Sequence, residues 1–233
     1  MDYFDKAETW DRATLETVQL ARLKTTIQQA SRAPFYAKRL AEAGVSADNL
    51  RSLEDIRRIP FTSKDDLRSQ YPYGLATVPH SEFVRMHCSS GTTGTPVAVC
   101  YTQPDINSWA DLMARCLYMA GVRKDDVFQN MSGYGLFTGG LGIHFGAERL
   151  GCMTIPAGAG NSKRQLKLVK DFGTTVAHIL PSYALILGEH LREMGEDPRQ
   201  FPLRIAMVGA EPYTEEYRRR IENLFDMKVY NSY

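Results

Sequence analysis

The residues between positions 89 and 96 combine small side chains and hydroxyl groups at a density that could support chemistry with phosphate. The run is Ser89-Ser90-Gly91-Thr92-Thr93-Gly94-Thr95-Pro96. Its glycines lack a Cβ atom, so neighbouring backbone N–H groups can converge on one point beside the hydroxyl donors. Such groups bind phosphate oxygens without a net positive charge. The run therefore predicts a phosphate-binding loop, and a structural loop between two strands is the alternative.

This loop differs from two common nucleotide-binding patterns. The P-loop of the common NTPases ends in Gly-Lys-Ser/Thr, and the dipeptide Gly-Lys does not occur in the sequence. The sequence also lacks the G-x-G-x-x-G run that opens a helix in dinucleotide-binding folds. An anion bound by residues 89–96 would therefore be held by hydroxyl and backbone groups.

The overall composition is that of a globular chain without a strong electrostatic field. Its 233 residues include 28 Lys and Arg against 27 Asp and Glu, a net charge of +1. This balance argues against nucleic acid and membrane surfaces as partners. The four cysteines are scattered singly, which favours neither a metal cluster nor a redox pair. Without a secretion signal or a membrane-spanning run, the chain is expected to be cytoplasmic.

The first eighty residues predict a helical lobe that would precede the loop. Apolar residues recur at near-helical spacing and predict a core-facing helix over residues 12–30; they are Leu15, Val18, Leu23 and Ile27. Further helix starts are expected at Pro34 and in the serine-led runs 52–55 and 63–66. We therefore expect residues 1–80 to form a separate N-terminal lobe.

Strand-like and helical runs alternate from residue 81 onward. Strands are predicted at 83–88, 97–101, 127–131, 153–155, 176–180, 203–208 and 228–230. Helices are predicted at 104–120, 141–150, 162–172, 182–194 and 214–225, most of them followed by a glycine suited to a helix C-cap. Regular alternation of this kind is typical of a parallel sheet. The sequence therefore predicts an α/β fold over residues 81–233, a mostly parallel sheet with flanking helices.

Four segments, taken in order, resemble the phenylacetate–CoA ligase family of adenylate-forming enzymes. The run 89–96 is similar to the phosphate loop of that superfamily. The N-terminal lobe of the family is matched by Pro60-Phe61-Thr62-Ser63-Lys64-Asp65-Asp66-Leu67-Arg68 and Tyr71-Pro72-Tyr73-Gly74-Leu75. Its most characteristic segment resembles Gly133-Tyr134-Gly135-Leu136-Phe137-Thr138-Gly139-Gly140-Leu141-Gly142, and its adenine-side turn resembles Gly209-Ala210-Glu211-Pro212. The chain is thus identified as the N-terminal portion of a family member.

The resemblance implies a two-step reaction on an aromatic, phenylacetate-like carboxylic acid, as in phenylacetate catabolism. ATP converts the acid to an acyl adenylate with release of pyrophosphate, and CoA then displaces AMP. ATP, CoA and Mg²⁺ are the implied cofactors and co-substrates. In this family the loop wraps the phosphates, which implies contacts from Ser89, Ser90, Gly91, Thr92, Thr93, Gly94 and Thr95. Lys64 is a further candidate for the phosphates, with an exposed helix-start lysine as the alternative.

The other implied site residues concern adenine and the acid. Adenine would be bordered by Gly209, Ala210, Glu211 and Pro212 and stacked by Tyr233, although a plain connection after a strand is the alternative for 209–212. The acyl pocket would be lined by Ser132, Tyr134, Phe137, Gly139 and Gly140, or this segment is only a packed turn. Tyr183 is expected either in the acid pocket or in the core, and His87 is expected to border the phosphate loop. A structural role is expected for the other three histidines that follow, His144, His178 and His190.

The sequence departs from the family pattern at three places. Thr95 replaces a lysine usual in the family loop, which implies weaker use of ATP. Ser132 stands where the family often has tyrosine, which implies a wider or more polar acid pocket. The family's catalytic lysine and its magnesium-binding glutamate would lie beyond Tyr233, so no catalytic residue and no metal ligand is assigned within the chain. We expect this chain to be a truncated or split-enzyme nucleotide-binding fragment that has little activity alone. The sequence is compatible with both a monomer and a homodimer.

Overall fold

The structure is a computed structural model that describes residues 3–89 and 94–232. The chain divides into two compact units, Met1–Ile106 and Asn107–Tyr233. The boundary expected between residues 80 and 81 falls within the first unit and stays a prediction. Within the described residues, no helix has both the length and the apolar character needed to cross a membrane.

The N-terminal unit contains helices and one β-hairpin. Its α-helices are α1 (Arg12–Ala30), α2 (Pro34–Glu42) and α3 (Lys64–Ser69). Short 3-10 helices span Lys6–Thr9, Ala47–Asn49, Leu53–Arg58 and His80–Glu82. The run that begins at Ser52 therefore forms a 3-10 helix, whereas the run that begins at Ser63 forms an α-helix as predicted.

Side-chain caps explain where these helices begin. Asp11 accepts a hydrogen bond from the backbone N–H of Thr14 at 2.7 Å, which caps α1. Ser63 and Asp66 bond to each other's backbone N–H groups at 2.8 and 3.1 Å, the reciprocal capping box of α3. A small apolar cluster holds the helical part together; its buried members are Ile27, Leu40, Val45 and Leu50.

The hairpin that carries the predicted phosphate loop is antiparallel. Its strands are β1 (Phe83–Cys88) and β2 (Ala98–Thr102), paired so that Cys88 lies opposite Ala98. Beyond this pair, the backbone N–H of Ser89 donates to the carbonyl of Val97 at 3.0 Å. The two strands thus bring the ends of the loop together, as the sequence predicted.

The C-terminal unit has a five-stranded parallel sheet, which confirms the predicted fold class. The strands are β3 (Val127–Asn130), β4 (Met153–Ile155), β5 (Val176–Ile179), β6 (Ile205–Val208) and β7 (Lys228–Asn231), in the spatial order β4-β3-β5-β6-β7. The helices are α4 (Gln103–Met119), which contains the boundary between the units, α5 (Gly139–Leu150), α6 (Ser162–Phe172), α7 (Pro181–Glu193) and α8 (Glu215–Phe225), with a 3-10 helix at Pro198–Gln200. All residues of β5 and β6 are buried.

Helices cover this sheet and form two apolar clusters. One cluster includes residues of α6, α7 and α8 together with strand residues; its fully buried members are Val169, Leu191, Ala206, Val208 and Ile221. The other includes residues of α4 and α5, and its fully buried members are Leu117, Val122, Phe128, Ala147 and Val176. Burial of apolar surface at about 25 cal/mol per Å² makes these clusters the main stabilising term of the unit.

An ion pair fastens the amino-terminal end of the sheet. Asp126, just before β3, pairs with Arg204, just before β6, and accepts a hydrogen bond from the hydroxyl of Thr175 at 2.7 Å. Burial opposes ionisation of Asp126, but hydrogen bonds from Arg204, Arg123 and Thr175 together hold its pKa below the usual range. These contacts join the amino-terminal ends of β3, β5 and β6.

Candidate functional site

The carboxyl-terminal edge of the parallel sheet gathers most of the residues predicted to bind adenine and the acid. Residues 132–140 follow β3, residues 209–212 follow β6, and Ser232 follows β7. Strands β3, β5, β6 and β7 are consecutive neighbours in the sheet, so these segments meet along one edge. Ligands of open α/β sheets bind outside this edge. Tyr233, predicted to stack on adenine, lies outside the described residues.

Asn130, the last residue of β3, organises the start of the acyl segment. Its side-chain oxygen accepts hydrogen bonds from the backbone N–H of Ser132 at 3.1 Å and from Nδ1 of His178 at 2.9 Å. Its amide nitrogen points to the carbonyl of Gly140 at 3.4 Å. Asn130 is fully buried, so each of these bonds replaces one with water. The sequence prediction did not include Asn130, although a polar residue that ends an apolar strand could have drawn attention.

The two adjacent glycines of the acyl segment have different surroundings. Helix α5 begins at Gly139, two residues earlier than the predicted start at Leu141, so both glycines lie in its first turn. A Cβ atom on Gly140 would lie 3.2 Å from the carbonyl carbon of Gly133 and would overlap the carbonyl oxygen. A Cβ atom on Gly139 would meet no atom within 4 Å. Gly140 therefore allows the helix to approach the backbone of Gly133.

The aromatic residues of the acyl segment differ in exposure. Tyr134 is half-buried, and its hydroxyl lies 3.1 Å from Nδ1 of His144 on α5. Phe137 is 57% exposed, and its ring lies over Gly135, where an added Cβ atom would be 3.5 Å from the ring. Ser132 is half-buried beside Asn130. Of the two predicted aromatic residues, Tyr134 is thus the one with a defined environment.

The turn at 209–212 is held by contacts on both sides. Both carboxylate oxygens of Glu211 accept hydrogen bonds from Ser182, one from its backbone N–H at 3.1 Å and one from its hydroxyl at 2.9 Å. Because Leu180 supplies no side-chain cap, Glu211 caps α7 in its place. On the other side, Ser232 donates from its backbone N–H to the carbonyl of Val208 at 2.7 Å.

This turn also has an unusual backbone. Ala210 has a φ of +65°, in the left-handed region that residues with a side chain rarely adopt. The two hydrogen bonds from Ser182 hold the Glu211 carboxylate beside this turn. Ser182 was predicted only as the start of a helix; its partner is 29 positions away, so no local pattern could reveal the contact.

The phosphate candidates lie in the N-terminal unit. Ser89 accepts a hydrogen bond on its hydroxyl oxygen from the backbone N–H of Val97 at 3.0 Å, and Gly94 and Thr95 are exposed. Residues 90–93, which include Ser90, Gly91, Thr92 and Thr93, lie outside the described residues. Lys64 is exposed at the first position of α3. The assignment of all these residues to phosphate stays a prediction.

The remaining candidates have packing contacts. Tyr183 packs against the core of the C-terminal unit, and its hydroxyl lies 3.2 Å from that of Ser162. His87 is buried in β1, with its ring edge-on to Tyr101 at 5.7 Å. His190 lies on α7 with its Nδ1 3.5 Å from a carboxylate oxygen of Glu193. Tyr183 and His87 thus have packing contacts and His190 lies near a carboxylate, while the roles of the three stay predictions.

Two of the clefts that the described residues form lie outside the predicted site. In the C-terminal unit, a cleft of about 560 Å³ runs between α7 and α8 and includes the arginines at 192, 219 and 220. In the N-terminal unit, a cleft of about 540 Å³ lies between the hairpin and the turn at 70–78. Neither cleft is lined by a residue predicted from the sequence to bind ATP or the acid.

Burial of His178 predicts a dependence of stability on pH. His178 is 8% exposed, and burial lowers its pKa to about 4, whereas an unfolded histidine titrates near 6.5. The unfolded chain therefore takes up a proton in the window between these values while the folded chain does not. We expect the free energy of unfolding to fall by roughly 3 kcal/mol from pH 7 to pH 4 through this residue. Urea unfolding across that range measures it.

The control for this prediction compares two histidines. In His178→Asn the share of the loss that comes from His178 should disappear, while the share from carboxyl groups whose pKa is lowered in the folded chain, such as Asp126 and Glu215, should remain. His190→Asn changes a histidine whose side chain is 36% exposed and should leave the curve almost unchanged. Parallel curves for the wild type and His178→Asn would show that His178 does not cause the loss.

Comparison with known proteins identifies the family of this chain. Residues 12–233 match the model of a family described as AMP-binding enzyme. The phenylacetate-coenzyme A ligase of Pseudomonas putida is 46% identical over 98% of this chain, and that of Thermus thermophilus is 45% identical over 100%. The phenylacetate-coenzyme A ligase of Escherichia coli is 43% identical over 98%. This chain spans about half the length of these relatives, 52% to 53%.

Comparison with solved structures shows that the fold is shared with an acid–CoA ligase. A 2-hydroxyisobutyryl-CoA ligase in its thioesterification state, in complex with 2-HIB-AMP and CoA, has a TM-score of 0.87 and 32% identity. The superposition covers 99% of this chain and 53% of that one. An open conformation of the same ligase has a TM-score of 0.84. With a family match over nearly its whole length and this shared fold, the chain belongs to the family of AMP-binding enzymes.

Proposed function

We propose that this chain is the adenylate-forming part of an ATP-dependent acid–CoA ligase that acts on a phenylacetate-like aromatic acid. One observation carries the proposal: relatives named phenylacetate-coenzyme A ligase are 43% to 46% identical along almost the whole chain. The 2-hydroxyisobutyryl-CoA ligase, whose acid is aliphatic, is less similar at 32%. The difference in identity favours the aromatic acid.

The proposed reaction activates a carboxylate, which by itself reacts poorly with a thiol. A carboxylate oxygen of the acid attacks the α-phosphorus of ATP, the bond to the β-phosphate breaks, and pyrophosphate leaves. The resulting mixed anhydride has AMP as a leaving group, which the thiol of CoA can displace. The protein contributes mainly by orienting the acid and the α-phosphate and by stabilising charge. This role suits a rigid sheet edge with fixed backbone turns.

Each segment is assigned one task in this proposal. The backbone of residues 209–212 borders adenine, and Glu211 keeps that turn in place through Ser182. Residues 132–140 contact the acid, with Tyr134 as the ordered aromatic side chain. The loop 89–96 binds the β- and γ-phosphates through N–H and hydroxyl groups.

Magnesium would be held mainly by the nucleotide in this proposal. In the part of the chain that the structure describes, no group of three or more His, Cys, Asp or Glu residues could hold a metal ion. Mg²⁺ commonly binds substrate phosphates with only one or two carboxylates and several waters. An ion that arrives with ATP would neutralise charge on the phosphates.

ATP–pyrophosphate exchange tests the proposal. The assay is run on this chain alone and on this chain joined to the remaining half of the Pseudomonas putida relative, with phenylacetate and with 2-hydroxyisobutyrate. We expect phenylacetate-dependent exchange in the joined protein. Exchange in the joined protein but not in this chain supports the second candidate, a nucleotide-binding module that needs another chain for turnover, which the half-length coverage favours. A folded joined protein without exchange contradicts both.

Thr95 provides a separate prediction about ATP affinity. It is exposed in the proposed phosphate loop, where the resembling family usually has lysine. Thr95→Lys should lower the KM for ATP by roughly fivefold, because an exposed ion pair contributes up to about 1 kcal/mol. The KM is measured in the exchange assay at low and high salt, and the gain should shrink at high salt.

The matched control for charge is Thr25→Lys. Thr25 is an exposed residue of α1, so this variant adds the same charge outside the loop. It should leave the KM for ATP unchanged. An equal gain in both variants would assign the effect to net charge, and no gain in Thr95→Lys would place the phosphates away from this residue.

A further inference from the structure

A chain of polar contacts runs from the surface of α5 to the acyl segment. A carboxylate oxygen of Glu148 lies 3.1 Å from Nε2 of His144, and Nδ1 of His144 lies 3.1 Å from the hydroxyl of Tyr134. The rings of Tyr134 and His144 meet edge to face, 5.7 Å apart and 82° between planes. His144 and Glu148 are four residues apart, so one face of the helix aligns them.

The partners determine where the protons lie. The Glu148 carboxylate can only accept, so Nε2 of a neutral His144 donates to it and Nδ1 is left as an acceptor. The Tyr134 hydroxyl then donates to Nδ1. Burial raises the pKa of this phenol, which keeps the donor proton in place. The proton of the Tyr134 hydroxyl is therefore donated inside the protein and is not available to a ligand.

Tyr134 needs such a contact because its local backbone provides little restraint. It is flanked by Gly133 and Gly135, which have no side chains to limit its motion. Asn130 fixes the backbone on the amino-terminal side through the N–H of Ser132. The side chain itself is oriented by His144, whose own side chain is only 14% exposed.

We propose that His144 is a positioning residue that holds Tyr134 and thereby makes the acid site prefer an unsubstituted aromatic ring over a hydroxylated one. This inference rests on the proposed function, since it places the acid beside Tyr134. With its proton donated to His144, Tyr134 offers no hydrogen-bond donor to a ring substituent. A hydroxyl group on the acid would lose the hydrogen bonds that it accepts from water without regaining one from Tyr134.

The test compares two substitutions of His144 in this chain. The ligands are unreactive adenylate mimics, phenylacetyl-sulfamoyl-adenosine and its 4-hydroxyphenyl analogue, and calorimetry gives both dissociation constants. His144→Leu should weaken the phenylacetyl mimic about five- to tenfold and reduce the preference between the two mimics at least threefold. In His144→Asn the side-chain oxygen replaces the Nδ1 acceptor, so affinity and preference should return to within about twofold of wild type. Equal losses in both variants would overturn the proposal.

A second measurement does not depend on binding. The ¹⁵N chemical shifts of His144 should place the proton of the neutral ring on Nε2, and the Nδ1 shift should change in Tyr134→Phe. A proton on Nδ1, or no change in that variant, would overturn the contact. If wild-type chain binds neither mimic, the proposed function fails and the specificity claim fails with it, while the shifts still decide whether His144 holds Tyr134.

His190→Leu is the matched control. His190 also lies near a glutamate, Glu193, on a helix of the same unit, but it contacts no predicted site residue among the described contacts. This variant should bind both mimics as wild type does. A loss equal to that of His144→Leu would mean that removal of any helical histidine affects binding, which would overturn the assignment.

Discussion

Replacing Gly140 by alanine is expected to destabilise the C-terminal unit by about 3 kcal/mol and to remove binding at the sheet edge. The new methyl group would overlap the carbonyl oxygen of Gly133, and a backbone atom cannot rotate away as a side chain can. Overpacking of this kind typically costs about 1–3 kcal/mol, with the upper end at rigid contacts. Helix α5 would have to move away from residues 132–134. Urea unfolding and binding of an adenylate mimic measure the two effects.

The neighbouring glycine provides the control for this prediction. Gly139 lies in the same first turn of α5, but an added Cβ atom would meet nothing within 4 Å. Gly139→Ala should therefore gain up to about 1 kcal/mol of stability, since alanine favours a helix over glycine. If Gly140→Ala were as stable as Gly139→Ala, the close approach of α5 to Gly133 would be wrong.

Substitution of Asn130 by leucine is expected to have the second large effect. Leucine has a similar shape but would leave Nδ1 of buried His178 and the backbone N–H of Ser132 without their acceptor. Each unsatisfied buried donor costs about 1–3 kcal/mol, so a loss of roughly 3 kcal/mol is expected. Binding should fall as well, because the acyl segment loses its attachment to β3. Thermal or urea unfolding together with calorimetric binding provides the measurement.

Asn223→Leu serves as the comparison for Asn130→Leu. Asn223 is exposed on α8, so the same chemical change there should alter stability by less than about 0.5 kcal/mol. Similar small losses in both variants would mean that the hydrogen bonds of Asn130 contribute little. The pair thus separates the effect of the buried contacts from that of the residue type.

Much of the fold could be predicted because its signals are local. Short apolar runs marked the five parallel strands, and glycines marked several helix ends. Gly151 and Gly173 have φ values of +95° and +65°, as helix C-caps require. The capping box of α3 was visible in the order Ser63-Lys64-Asp65-Asp66. These features depend on neighbours within a few residues, which the sequence states directly.

The predicted start of α5 was wrong by two residues, and the reason is physical. Gly139 and Gly140 have low intrinsic helix propensity, so the sequence favoured a start at Leu141. In the structure, close packing of Gly140 against Gly133 outweighs that propensity and extends the helix. The residues that make a good loop by local criteria are those that permit the tertiary contact.

The connections within the candidate site could not be predicted from local patterns. Asn130 meets His178 across 48 positions, and Ser182 meets Glu211 across 29. In each pair, the two residues lie at or after the carboxyl ends of neighbouring strands. These strand ends come together only when the sheet forms. Glu211 could be placed near adenine by resemblance, but its role as the cap of α7 required the structure.

The most direct test of the account is an NMR titration of this chain with phenylacetyl-sulfamoyl-adenosine. If an acyl adenylate binds at the carboxyl-terminal edge of the sheet, the backbone amide signals of Gly209 to Glu211 and of Ser132 to Tyr134 should shift together, with one dissociation constant. Shifts confined to the cleft between α7 and α8, or no shifts in a folded chain, would contradict the proposed site.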